Sequence, residues 1–180
     1  MLDIADRSQP KLLAHKTWCP PFEGGTHNCL PLPDRKLLVV VDECVLDREN
    51  ELKPIWIFDN RVASNPISIA TCPVPKETDY VAVGGHFGPH NIHENRPGSF
   101  ISSDLIFCTY QNAGIRAYSI KDQYRPEEVG AIVPATPAKL VDPRPNRPCV
   151  LHSADIFVTK DGLIFFTDFN AGMHVAEFNG

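Results

Sequence analysis

Histidines and their neighbours are the residues in this chain whose type and spacing suit chemistry. Seven histidines occur in 180 residues. Three crowd into "GGHFGPHNIHENRPG" (84–98): His86, His90 and His93. His90 opens a stretch, "HNIHENRP", that resembles "HNCLPLP" from His27 and "HSADIFV" from His152. Their spacing, 63 and 62 residues, is nearly constant. Recurrence of this kind points to equivalent positions in a repeated structure, so that imidazoles remote in sequence converge. Neutral imidazoles that converge suit Fe(II), Cu, Mn or Zn. A site of three histidines leaves positions open for water or substrate. The expected metal ligands are His27, His90 and His152, with His93 beside them. Glu94 is a candidate catalytic residue or acceptor for an imidazole N–H. Arg147, with Arg144, is a candidate for gripping an anionic substrate through its planar fork. Cys29, two residues after His27, is a candidate thiolate on the same strand face. His15 and His174 fall outside the recurring stretches and read as structural. Asp42 and Glu43 are adjacent, so on a strand they point to opposite faces and do not form an acid–base pair.

The elements that position these residues are short strands. Seventeen prolines and eleven glycines leave no room for long helices. Runs of four to seven residues rich in Val, Ile, Phe and Tyr, bounded by turn residues, recur throughout. "LIFCTYQNAGIRAYSI" (105–120) and "LIFFTDFNAGMHVAEF" (163–178) share seven of sixteen positions. Asp3 to Pro10, Asp59 to Pro66 and Ser119 to Pro126 are the same seven-residue step. The chain therefore reads as three copies of a unit about sixty residues long, roughly 2–59, 60–119 and 120–178, within one domain spanning 1–180. Each copy holds a His-led strand, an apolar strand (37–43, 105–111, 163–169) and a third strand (55–59, 115–120, 173–178). A proline-marked turn leads to a fourth (67–72, 128–133, and 11–17 at the start). Four antiparallel strands make a small sheet that cannot bury its faces alone, so the expected fold is an all-β β-propeller of four-stranded blades. A β-sandwich is the alternative.

"LLVVVDE" (37–43), "IWIFD" (55–59), "NPISIA" (65–70) and the stretch 105–137 resemble the LVIVD-repeat β-propeller proteins. The resemblance covers about 2–178 and implies a propeller fold without implying one activity. More distantly, "THNCLPLPD" (26–34) and "GPHNIHENRPG" (88–98) look like the His-bearing stretches of selenium-binding-protein-type propellers. That likeness implies metal-dependent thiol oxidation and touches only His27, His90 and His93.

Three blades are fewer than the ~4–8 of a closed propeller. The expected partner is a second copy, head to tail, or the remainder of a longer propeller. A net charge of −5 and the lack of a basic run argue against nucleic acid. The longest apolar runs are far short of a membrane span. The start has no signal-peptide pattern, so the six cysteines read as reduced thiols in a cytoplasmic protein. Motifs for hydrolases, kinases and dinucleotide enzymes are missing. Two functions remain open: a metal-dependent enzyme acting on a small molecule at the rim, and a non-catalytic scaffold that binds a protein or ligand with structural histidines.

Overall fold

The computed structural model describes residues 1–22, 24–45, 52–141, 143 and 148–179. They form several small antiparallel sheets. The first is a two-stranded ribbon, β1 (Leu2–Asp3) with β2 (Lys11–Leu12). Next comes a four-stranded meander of β3 (Thr26–Leu32), β4 (Leu37–Asp42), β5 (Ile55–Asp59) and β6 (Ile67–Thr71). A short helix, α1 (Tyr80–Val83), lies in the connection that follows, capped by the Asp79 carboxylate on the Ala82 N–H. It is the one helix among the described residues, and the sequence pattern did not predict it. Two three-stranded meanders complete the chain: β7 (Leu105–Thr109), β8 (Ile115–Ser119), β9 (Glu127–Ile132), then β10 (Ser153–Val158), β11 (Leu163–Asp168), β12 (Gly172–Glu177). No helix among the described residues is long and apolar enough to cross a membrane.

The apolar run of β4 has no polar alternation because both of its faces are covered. Val39 and Val41 point, with Ile57 and Leu30, into a core shared with Ile106, Cys108 and Tyr118 of the next meander. Leu38 and Val40 point the other way, where Trp56 and Phe58 of β5 meet Trp18 and Phe22. The opposite face of the β7–β9 meander, with Phe107, Ile115 and Ala117, packs on Val158, Ile164 and Phe166 of the last meander. Successive sheets thus lie face to face, and each fully buried aliphatic side chain contributes about 1.5–3 kcal/mol.

One turn recurs three times. Asp3 pairs with Lys11, Asp59 with Ile67 and Ser119 with Glu127. In each turn an N–H closes back on a carbonyl three residues earlier: Gln9 on Asp6, Asn65 on Val62 and Arg125 on Asp122. Pro10, Pro66 and Pro126 each precede the outer strand, where a missing N–H costs no ladder bond. The Asn-Ala-Gly turns need glycine. Gly114 has φ 77°, and a Cβ there would lie 2.2 Å from the Ile132 carbonyl oxygen.

The expected strand led by His90 is reduced to a single bridge, Ile92 with Cys108. After His93, which donates its N–H to the Phe107 carbonyl, the chain leaves the sheet. The Asn95 side chain bonds the Ser102 backbone at 2.9 and 3.1 Å. Ser99 bridges to Thr159, and the Phe100 N–H reaches the Val158 carbonyl of the last meander. The expected strand 11–17 is also shorter, spanning Lys11–Leu12.

Candidate metal centre

The site lies where the N-terminal end of β3 meets the C-terminal end of β4. Antiparallel pairing sets Thr26 opposite Asp42 and Asn28 opposite Val41, so His27 is the extra residue of a β-bulge. A bulge breaks the in–out alternation and re-aims a side chain. The same device recurs at His90. The Thr109 carbonyl accepts from the His90 N–H at 3.0 Å, while the Thr109 N–H donates to Asn91 at 2.9 Å. The re-aimed rings stack, with centroids 4.3 Å apart and planes 25° apart.

Glu43 stands between them. Its Oε2 is 2.9 Å from His27 Nδ1, and its Oε1 is 3.5 Å from His90 Nε2. His27, Glu43 and His90 form a group able to hold a metal ion, with one ligand atom from each and all three within 4.8 Å. Donors arranged around a metal at about 2.1 Å stand about 3.0–3.4 Å apart, and the two short separations, 2.9 and 3.5 Å, lie close to either end of that range. The Glu43 N–H is fixed by the Gly25 carbonyl at 2.8 Å. Gly25 has φ 87°, and a Cβ there would come within 2.7 Å of the Glu43 carbonyl oxygen.

The tautomer of His90 follows from its partner. Nδ1 lies 2.7 Å from the Ala154 carbonyl oxygen, which only accepts, so Nδ1 carries the proton. Nε2 is thereby left as the nitrogen that faces Glu43, the orientation of a metal-ligating imidazole held by a backbone carbonyl. Two imidazoles and a carboxylate suit Fe(II) and Zn, and leave open positions.

The other expected residues lie elsewhere. Both nitrogens of His93 are engaged within the fold: Nε2–H donates to the Phe100 carbonyl at 2.9 Å, and Nδ1 accepts the Val158 N–H at 3.1 Å. Burial holds its pKa below the ordinary value. His93 therefore fastens the second and third meanders together and has no lone pair left for a metal. His152 sits against His86 and Phe169, with ring centroids 4.8 and 5.0 Å away. The register explains why. The Asp155 N–H donates to Thr167 Oγ1, as the Asn91 N–H does to Thr109 Oγ1. Ala154, two residues beyond His152, thus occupies the place of His90. Glu94 pairs with Arg96 at 2.6 Å, whose hydrogen bond lowers its pKa; it does not orient an imidazole. Cys29 lines a different groove, of about 410 Å³, with Trp18, Val40 and Phe58. Arg144 and Arg147 lie outside the described residues.

Glu43 is the member of this group that reading along the chain passes over. Its signal was its place one residue past the apolar strand "LLVVVD", beside the start of the His-led strand once the two pair. Asp42, its neighbour, faces away: its carboxylate accepts both indole N–H groups of Trp18 and Trp56 at 2.7 Å and the Thr26 hydroxyl at 3.0 Å.

A polar ladder continues from the two bulges. Asn28 Nδ2 donates to Asn91 Oδ1 at 3.3 Å, and Asn91 Nδ2 donates to Asp155 Oδ1 at 2.7 Å. Asn28 and Asp155 lie on β3 and β10, and Asn91 holds the corresponding place beside β7. Compared with known proteins, the chain matches no family model, no curated protein and no solved structure.

Proposed function

We propose that this chain is part of a β-propeller whose channel rim holds a transition metal between His27, Glu43 and His90, and that it acts there on a small molecule. The convergence of these three side chains carries the reading. Support for the propeller comes from the face-to-face meanders, from the recurring turn register and from the Asn28–Asn91–Asp155 ladder. A chain of hydrogen bonds through equivalent residues of three successive repeats is what segments gathered near a common axis would form. The likeness to LVIVD-repeat propellers belongs to the same proposal. A second copy, head to tail, or further blades of a longer chain complete the ring. A cytoplasmic location fits the six free cysteines.

The donor set fits Fe, Zn, Mn or Cu. A metal held there would supply Lewis acidity or redox chemistry. The protein's part is orientation: Ala154 fixes the His90 ring, Gly25 fixes the Glu43 backbone, and the carboxylate spans both imidazoles.

Metal analysis of protein purified without a histidine tag tests this. The expected result is about one transition metal per chain, lost in His90→Ala and in Glu43→Gln while circular dichroism and the melting temperature stay near wild type. Metal-free protein that also fails to take up Fe(II), Zn(II), Mn(II) or Cu(II) on titration would leave the scaffold reading in its place. Sedimentation measures the assembly separately.

A further inference from the structure

Beside the proposed centre lies a cavity of about 260 Å³, walled by Asn28, Asn91, Asp155, Phe157 and the Glu94–Arg96 pair. Two of these residues directly follow the proposed ligands His27 and His90. The connection is also bonded: the Ala154 carbonyl that holds His90 Nδ1 at 2.7 Å accepts Asn91 Nδ2 at 3.3 Å. Each amide donates toward the carboxylate, so the ladder has one direction, from Asn28 to Asn91 to Asp155. Its two ends are acceptors. Asn28 Oδ1 is buried with no hydrogen-bond partner. The Asp155 carboxylate accepts the Asn91 amide and its Oδ1 is 2.7 Å away, yet it has no ion pair among the described residues. Glu94 and Arg96 neutralise each other at 2.6 Å, which leaves Asp155 as the uncompensated charge of the wall. Phe157, 42% exposed, adds an apolar surface to the wall.

We infer that this cavity takes a small primary alkylammonium, with the ammonium on Asp155 and the alkyl group against Phe157. The unmet capacity is for hydrogen-bond donors, the residual charge is negative, and an anion would face a carboxylate with no free cation in the wall. The volume, below the ~300–1,000 Å³ of drug-sized sites, restricts the ligand to a few heavy atoms. The inference rests on the proposed metal reading for what becomes of the ligand, and not for its binding.

The test is calorimetric titration of metal-stripped full-length protein with propylammonium chloride, with sodium propionate and 1-propanol as controls. Saturable binding of propylammonium is expected at a Kd on the order of 1–10 mM, as suits so small a ligand. Propionate should not bind. Asp155→Asn retains an oxygen for the Asn91 amide and removes the charge, so it should weaken propylammonium at least tenfold with an unchanged circular dichroism spectrum. Equal binding of propionate or propanol, an unaffected Asp155→Asn, or no heat with propylammonium up to 50-fold above that range overturns the inference. Because the protein is metal-free throughout, retained ammonium binding in a chain that never takes up metal would sink the metal reading alone.

Discussion

The Ala154 carbonyl oxygen lies 2.7 Å from His90 Nδ1 and 2.9 Å from the Thr109 hydroxyl, so one backbone acceptor of the third meander orients a side chain of the second. The Thr109 hydroxyl in turn accepts the Asn91 N–H at 2.9 Å. His90 is aimed by this small network as much as by its own strand, which consists of a single bridge.

Thr109→Val removes the hydroxyl from a fully buried site and leaves the Asn91 N–H without its side-chain acceptor. The expected cost is about 1–3 kcal/mol, read as a lower urea midpoint with an unchanged slope. Metal uptake should weaken too, since His90 loses part of what orders its setting. An unshifted midpoint would show that the network contributes nothing.

Gly25→Ala probes the other proposed ligand, Glu43. The added methyl meets the Glu43 carbonyl oxygen, and φ at 87° disfavours any L side chain. A loss of about 1–2 kcal/mol is expected, together with metal affinity reduced at least tenfold because Glu43 must shift. Wild-type metal affinity in a folded Gly25→Ala protein would disconnect the glycine from the site.

His93 makes stability depend on pH. Burial, the main cause, lowers its pKa in the folded chain, whereas an unfolded histidine takes its proton near pH 6.5. Between those two values the unfolded state binds more protons. His93 therefore contributes its full stability above about pH 6.5 and loses it as pH falls, by at most about 1.4 kcal/mol per pH unit, until the folded imidazole is also protonated. Protonation puts a donor on Nδ1 against the Val158 N–H. His93→Gln should flatten this part of the profile in denaturant melts between pH 7.5 and 5. An identical slope in the variant would assign the acid sensitivity to other groups.

Much of the architecture was legible in the residue order. Strand limits followed from short apolar runs and their bounding turns, because β-branched runs, Asn-Ala-Gly and proline act through local sterics. The Asp59–Ile67 and Ser119–Glu127 registers follow from the same seven-residue step to a proline. The approach of His27 to His90 was legible because each opens a His-Asn stretch one repeat apart, whereas the bulge that aims His27 was not.

What the residue order alone determined about this protein was most of its strands, its turns and the period that brings His27 to His90. Tertiary structure alone decided which groups complete the site. Glu43 joins because antiparallel pairing places the end of one strand beside the start of another. His152 is displaced because the third sheet carries Ala154 at the place of His90, a two-residue slip hidden by a nearly constant spacing. His93 is spent because the Phe100 carbonyl, seven residues on, and the Val158 N–H of the last meander both reach its ring. Each outcome depends on which side chains and backbone groups meet across sheets, and those contacts have no local signature in the chain.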